Sequence, residues 1–150
     1  MGLEKDINQT VFRNEYHKGA INLIYTYFWM NEKMKAWFDK EDITGQQFNI
    51  LRILRGAGKP ISTLQIRERM LDKMSDTSRI VDRLVLKGLV KKNVCKNDKR
   101  LVDVSISPKG KSLMEKMDRH ANEMDAILGN LTQAETKTLN NLLDKIRQSD

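Results

Sequence analysis

The chain is poor in cysteine, proline and long hydrophobic runs, with one Cys and two Pro among 150 residues. Because a single cysteine cannot form an intrachain disulfide, nothing indicates an oxidising compartment, and we expect a cytoplasmic protein. The longest apolar stretch, residues 20–30, is shorter than the roughly 20 residues that a membrane-spanning helix needs. The first residues show no apolar segment after a basic start, so we expect neither a signal peptide nor a membrane partner.

Residue sets that carry catalysis or hold metal ions are lacking as well. The two histidines, His17 and His120, are far apart in sequence, and no Ser/His/Asp or Cys/His arrangement stands out. Residues 56–59 read Gly-Ala-Gly-Lys, but they lack the full phosphate-loop spacing and precede a proline. Cys95 has no second cysteine with which to form an intrachain disulfide, so a redox role is the weaker interpretation. We therefore expect no enzyme, no cofactor and no metal site.

Positive charge is what the sequence has in excess, and it is unevenly placed. The chain holds 27 Lys and Arg against 20 Asp and Glu, a net charge of +7. Residues 59–100 contain 12 basic and 5 acidic residues, which accounts for the whole excess, because the rest of the chain has 15 of each. Phosphate neutralisation requires such a local excess, which favours a nucleic-acid partner over a chance cluster on a solvated face.

Hydrophobic periodicity predicts two helices in the first part of the chain. Residues 7–38 lack proline and repeat apolar side chains at helical spacing, which predicts one long helix. Thr44 and Gln47 have the spacing of a capping box and begin a second helix. Glycines and a proline within residues 56–60 end it.

Two short helices follow, separated by a tight turn. Ser62 or Thr63 can cap the first of them, and either Asp72 or Ser75 can open the second, which Gly88 closes. Two short helices joined in this way form a helix-turn-helix pattern.

After Gly88 the apolar period changes from 3.6 to 2, which predicts a β-hairpin. The alternating positions are Val90, Lys92 and Val94 before a polar turn and Val102, Val104 and Ile106 after it. The predicted tip carries Lys96, Lys99 and Arg100. A basic hairpin directly after a helix-turn-helix is a wing.

The C-terminal part reads as helices with apolar stripes. Ser107 and Pro108 begin a helix, and its apolar side chains follow the spacing of a seam that packs along another helix. The positions of this seam are Met114, Met117, Ala121, Met124, Leu128 and Leu131. Thr132 with Glu135 opens a last helix, whose stripe is Leu139, Leu142, Leu143 and Ile146.

These elements predict a single chain of 150 residues that is mainly α with a small β-hairpin wing. A winged helix-turn-helix lobe of residues 44–107 is flanked by terminal helices of residues 7–38 and 108–148. The apolar residues of the terminal helices exceed what one chain needs to bury, so we expect these helices to form a homodimer. The predicted dimerisation residues are Met117, Ala121, Met124, Leu128, Leu139 and Leu143.

The order of the elements resembles the multiple-antibiotic-resistance regulator (MarR) family over almost the whole chain. Four segments carry the resemblance: the helix start at residues 44–51, Ser-Arg-Ile-Val-Asp-Arg-Leu at 78–84, Lys-Gly-Leu-Val at 87–90, and Asp-Lys-Arg at 98–100 followed by Ser-Pro-Lys-Gly at 107–110. The chain departs from the family in two places: Leu71 stands where a turn glycine is usual, and Lys96 or Asn97 where a wing proline is frequent. The resemblance implies a dimer that binds a pseudo-palindromic operator and is often released by a small ligand.

The predicted contacts with double-stranded DNA lie on the fourth helix and the wing. They comprise Ser75, Asp76, Thr77, Ser78, Arg79, Arg83, Lys92, Lys96, Lys99 and Arg100. Arg79 is placed to read a guanine, the lysines to neutralise phosphates, and Arg100 to enter the minor groove. Asp98 is expected to orient Arg100, and the acidic residues of the helix either to accept from a cytosine or to hold an arginine.

The function that we expect is a sequence-specific, ligand-responsive repressor. His17 and Tyr27 are candidates for lining a pocket for a small-molecule effector, and for His17 an ordinary helix residue is the commoner interpretation. The alternative is a winged-helix adaptor that binds protein partners and has lost DNA binding. The basic hairpin and Arg79 argue against that alternative.

Overall fold

A computed structural model describes residues 2–94, 98 and 102–148. The chain divides into two compact units, Met1–Glu41 and Asp42–Asp150. The described residues are mainly helical with one small antiparallel sheet, so the predicted fold class is confirmed.

The first unit contains a short helix, α1 (Leu3–Asp6), and a long one, α2 (Glu15–Asp39). The prediction of one helix from residue 7 was wrong, because α2 begins eight residues later. Asn14 ends the preceding loop: its side-chain oxygen accepts the N–H of His17 at 2.9 Å and caps the helix. Asn8, at φ 50°, lies in the left-handed region that asparagine tolerates.

The second unit begins with the helices of the helix-turn-helix lobe, α3 (Gly45–Ala57), α4 (Thr63–Arg69) and α5 (Thr77–Leu86). The capping box at Thr44 is confirmed, and Ser62 rather than Thr63 caps α4. Gly58 ends α3 at φ 66°, a conformation that glycine adopts without a Cβ penalty. α5 starts after Asp76, later than either predicted opening.

The sheet consists of β1 (Ile61–Ser62), β2 (Val90–Val94) and β3 (Val102–Ile106), in the order β1-β3-β2. β2 and β3 are antiparallel, with Val90 opposite Ile106 and Val94 opposite Val102, so the predicted hairpin is confirmed. β1 adds a strand that the sequence analysis did not predict, and it pairs Ile61 with Val104. The sheet thereby fastens the wing to the segment that precedes α4.

The core of the second unit is built around α3, which contacts α4, α5, β3 and α6 (Pro108–Asp118). Its largest fully buried side chains are Ile50, Leu51, Leu54, Ile61, Ile66, Met70, Leu84 and Met114. These contacts hold α5 against the lobe and leave its opposite face in solvent.

The C-terminal region differs from the single seam helix that the apolar spacing predicted. α6 ends at Asp118, and α7 (Ala121–Asp125), a 3-10 turn (Ala126–Leu128) and α8 (Gln133–Ile146) follow. The N–H of His120 bonds to the carbonyl of Met117, a tighter i to i+3 bond, and His120 leaves the helical region at φ −112° and ψ 16°. Apolar spacing shows which side is apolar, but it does not show whether the backbone stays continuous.

Candidate nucleic-acid interface

α5 has one apolar face against the core and one polar face in solvent. The buried residues are Thr77, Ile80, Val81 and Leu84, and the exposed ones include Ser78, Arg79, Asp82 and Arg83. Thr77 is only 4% exposed, so its hydroxyl lies in the core and not beside the other predicted contacts. The predicted contact set is therefore corrected by removing Thr77.

Asp76 caps α5, and its side chain is also exposed to solvent. Its Oδ1 accepts the backbone N–H of Arg79 at 3.2 Å, and its Oδ2 lies 3.8 Å from Arg79 Nε. A carboxylate at a helix N-terminus also interacts favourably with the helix dipole. Asp76 therefore caps the helix, while its carboxylate lies near the guanidinium of Arg79 without a side-chain hydrogen bond, and both side chains are largely exposed. The choice between the two uses predicted for this carboxylate stays a prediction.

The second acidic residue of this face is joined to the wing. Lys92 Nζ on β2 lies 2.9 Å from Asp82 Oδ1 on α5, and both side chains keep contact with solvent. The ion pair links α5 to the wing strand. It also occupies a lysine that the sequence analysis assigned to phosphate.

Asp72 organises the turn that leads into α5. Its Oδ1 accepts the N–H of Met74 at 2.9 Å, and its carbonyl oxygen accepts the hydroxyl of Ser75 at 2.7 Å. Ser75 therefore donates its hydroxyl proton within the turn, and in this conformation it has none to donate to a phosphate. From the sequence Asp72 was expected only as a possible start of the helix. Its bonds to Met74 and Ser75 depend on the path of the turn, which the sequence did not show.

Two side chains of α3 form hydrogen bonds to the same turn. Gln46 Nε2 donates to Asp72 Oδ2 at 3.2 Å, and the Oδ1 of the buried Asn49 accepts the N–H of Leu71 at 3.0 Å. These partners lie 26 and 22 residues apart in sequence. Local sequence signals do not reveal such distant pairs.

The other end of α5 is fixed by lysines. Lys87, the C-cap residue, donates through Nζ to the carbonyl of Asp42 and, at 3.1 Å, to Gln47 Oε1. Lys109 Nζ in turn donates to the Lys87 carbonyl at 2.9 Å. Cations at a helix C-terminus satisfy its open carbonyls and favour its dipole. Both ends of α5 are thus tied to the lobe.

The wing carries the rest of the predicted contacts, and most of them lie outside the described residues. Lys96, Lys99 and Arg100 belong to that group, as does Cys95. Asp98 is described and is half-buried, but its predicted action on Arg100 involves a residue outside the described part. The wing contacts therefore stay predictions.

The predicted dimerisation residues differ in how much of them is exposed. Met117 is 3% exposed and is packed within the chain itself, so it is not available to a second subunit. Ala121 is exposed, and Met124, Leu128, Leu139 and Leu143 are half-buried. Leu131, Leu139 and Leu142 also line an open apolar groove along the α8 region.

His17 and Tyr27, the candidate ligand residues, both lie on α2. Ten residues of helix separate them, which is about 15 Å along the axis. His17 Nδ1 accepts the N–H of Arg13 at 3.2 Å, and its ring meets Phe12 edge-on at 5.9 Å. Tyr27 is 61% exposed. A shared pocket for the two stays a prediction.

Neither metal ligands nor a bilayer-spanning segment stand out in the part of the chain that the structure describes. Its His, Cys, Asp and Glu side chains form no group of three that could hold a metal ion. None of the helices within the described ranges has the length and apolar character needed to cross a bilayer.

Comparison with known proteins identifies the relatives of this chain. The MarR family model matches residues 41–101, which span α3 to the wing. The multiple antibiotic resistance protein MarR of Salmonella typhimurium is 33% identical over 107 residues, which cover 70% of this chain and 74% of that protein. The chain belongs to the MarR family. MarR of Escherichia coli is 32% identical over the same shares of the two chains.

Solved structures of MarR-family proteins share the fold. A cysteine-to-serine mutant of E. coli MarR, crystallised with operator DNA, matches with a TM-score of 0.79 and 25% identity over 93% of this chain and 100% of that one. BpsR of Bordetella bronchiseptica matches with a TM-score of 0.78 and 22% identity over 94% of this chain and 100% of that one. The DNA binding of BpsR is regulated by 6-hydroxynicotinic acid. Proteins of this family are transcription regulators.

Proposed function

We propose that this MarR-family protein is a sequence-specific regulator of transcription that binds a pseudo-palindromic DNA operator as a homodimer. The observation that carries the proposal is the solvent face of α5, which exposes Ser78, Arg79 and Arg83 while hydrogen bonds tie both ends of the helix to the lobe. A recognition helix held in this way lies in the major groove with its N-terminal residues against the bases. The match to MarR bound to operator DNA supports the same use of the fold.

The roles of the contacts follow from their chemistry. Arg79 can donate two hydrogen bonds to a guanine, and the hydroxyl of the neighbouring exposed Ser78 can reach a phosphate or a base edge. Arg83, Lys96 and Lys99 supply sequence-independent attraction to phosphates. Protein bound across a promoter blocks access to it, and we therefore propose repression. We propose no catalytic role, and a cytoplasmic location stays a prediction.

Dimerisation is proposed from apolar surface that the single chain leaves in solvent. On α2, Ile24, Tyr27 and Phe28 are 58%, 61% and 64% exposed. On α8, Leu142 and Ile146 are 54% and 65% exposed. Apolar surface at helical spacing favours a second copy of the chain as its cover. Sedimentation at micromolar concentration should give twice the mass of 17.4 kDa, and a monomer would contradict the proposal.

We also propose that a small effector controls operator binding. A ligand that binds one dimer geometry more tightly shifts the distance between the two recognition helices, whose half-sites lie about 34 Å apart. The fold is compatible with such control, since BpsR has it. A screen of small aromatic acids, including 6-hydroxynicotinic acid, should yield at least one that weakens operator binding. A screen in which none does so contradicts this part of the proposal.

Selection from random duplex DNA tests the function most broadly. We expect a recovered palindrome with half-sites about 10 base pairs apart. Arg79→Ala should weaken binding by about 1–3 kcal/mol per half-site and relax one base position. Lys137→Ala, which removes an exposed cation on α8, is the matched control and should bind like the wild type. Selection that returns no preferred sequence contradicts specific binding.

The wing has its own test. Arg100→Ala should weaken operator binding while the thermal unfolding of the protein stays unchanged, because the predicted contact is with the minor groove and not with the core. An Arg100→Ala protein with unchanged operator affinity contradicts the wing assignment.

A further inference from the structure

A large apolar side chain stands in solvent in the turn that leads into α5. Met74 is 93% exposed, and it lies two residues before the Asp76 cap of the proposed recognition helix. A single exposed apolar residue usually needs no explanation. Met74 differs because its backbone is held in the turn that leads directly into the proposed recognition helix.

The backbone of Met74 is fixed on both sides. Its own N–H donates to Asp72 Oδ1 at 2.9 Å, and the next residue, Ser75, donates its hydroxyl and its N–H to the Asp72 carbonyl at 2.7 and 3.3 Å. Gln46 of α3 holds the second carboxylate oxygen of Asp72 at 3.2 Å. The turn therefore fixes the backbone from which the flexible Met74 side chain extends, two residues before the cap of α5.

The chemistry of the side chain limits what it can meet on a duplex. A thioether has no donor for a phosphate oxygen and is only a weak acceptor, but it packs well against apolar groups. In the major groove the apolar group is the 5-methyl of thymine. The N-terminal end of a recognition helix is the part that lies against base edges.

We propose that Met74 is a specificity-determining residue that packs against a thymine methyl group, and that Asp72 is the residue that positions it. The inference rests on the proposed function, because it requires α5 to enter the major groove. It adds an apolar contact to the hydrogen bonds of Arg79. It also assigns the turn, and not only the helix, to the reading of sequence.

The test replaces single thymines of the selected operator by deoxyuridine, which removes only the methyl group. For the wild type, one thymine position in each half-site should cost about fourfold in affinity, the value of one buried methyl group. Met74→Ala should bind more weakly and show no further loss at that position. Met74→Leu should restore both the affinity and the fourfold cost of deoxyuridine at that position, since leucine offers a similar apolar surface.

The matched control is Leu86→Ala, which removes an 87% exposed apolar side chain from the C-terminal end of α5. This variant should keep the fourfold preference for thymine. Asp72→Ala, checked by thermal unfolding to be folded, should lose the thymine preference at that one position. Its affinity should keep the salt dependence of the wild type, because no phosphate contact is removed. A purely structural defect would lower the affinity for the thymine operator and for the deoxyuridine operator by the same factor.

The outcomes separate this inference from the proposed function. If the protein binds its operator normally but deoxyuridine costs the same in the wild type and in Met74→Ala at every position, the inference is overturned and DNA binding stands. The inference is equally overturned if no thymine position responds in the wild type. If no duplex is bound at all, both the inference and the proposed function are overturned.

Discussion

Gly110 in the first turn of α6 offers a test of how the wing is fastened to the lobe. An alanine Cβ at this position would lie 2.2 Å from the carbonyl oxygen of Leu89 and 2.8 Å from Ile106 Cγ1. Ordinary carbon–oxygen contacts are about 3.3 Å or longer, so the backbone has to shift by roughly 1 Å. The Leu89 carbonyl also accepts the N–H of Ser107 at 3.0 Å, and a shift weakens that bond.

The expected cost of Gly110→Ala follows from these two effects. Overpacking costs about 1–3 kcal/mol, and a weakened hydrogen bond about 1 kcal/mol more. For a chain of this length a loss of about 2–4 kcal/mol lowers the unfolding temperature by roughly 4–16 °C. Far-UV circular dichroism during heating measures it, at one protein concentration, since the melting of a dimer depends on concentration.

Gly56 supplies the matched control. It lies inside α3, and a Cβ there would meet nothing within 4 Å. Gly56→Ala should therefore stabilise the protein by about 0.5–1 kcal/mol, because alanine loses less backbone entropy in a helix. If Gly110→Ala melts at or above the temperature of the wild type, the close packing of α6 on the Leu89 carbonyl is refuted.

Two further predictions concern ion pairs. Asp82→Asn should change the free energy of unfolding by no more than about 1 kcal/mol, since the pair with Lys92 is partly exposed. The substitution frees Lys92 to contact a phosphate, so the slope of log K against log salt concentration should become steeper by about 0.9 per new contact. An unchanged slope in fluorescence anisotropy titrations contradicts this role of Lys92. In the first unit, the hydrogen bond from Lys18 lowers the pKa of Glu4. The contact stabilises the folded protein at neutral pH, and this contribution is lost as the pH falls through the lowered pKa of Glu4. An NMR titration should therefore give Glu4 a midpoint below the ordinary glutamate value. Lys18→Met should raise that midpoint. An unshifted Glu4 contradicts the contact.

Much of the fold could be predicted because local signals specify it. The capping boxes at Thr44 and Thr132 depend on residues three positions apart, and both helices begin where these boxes place them. The two strands of the wing follow from alternation over five residues each. The start of α2 was missed because the apolar pattern from residue 7 contains no glycine or proline that marks a break. The side chain of Asn14 nevertheless starts the helix there by accepting the N–H of His17.

Features that depend on distant or very short segments could not be predicted. β1 has two residues, too few to show a period, and it exists through pairing with Val104 of β3. The break after Asp118 contains neither glycine nor proline. At the site, the exposed face of α5 followed from helical spacing. The anchoring of its entry turn by Gln46 and Asn49 did not, because hydrogen bonds across 26 and 22 residues arise only from the folded path.

The dependence of operator affinity on salt tests most directly whether the basic helix and wing bind a duplex. Each phosphate that the protein neutralises contributes about −0.9 to the slope of log K against log salt concentration. With four or more contacts in a dimer, affinity should fall at least about a hundredfold between 50 and 200 mM salt. An affinity that does not change over this range, or the lack of any complex at low ionic strength, contradicts the account.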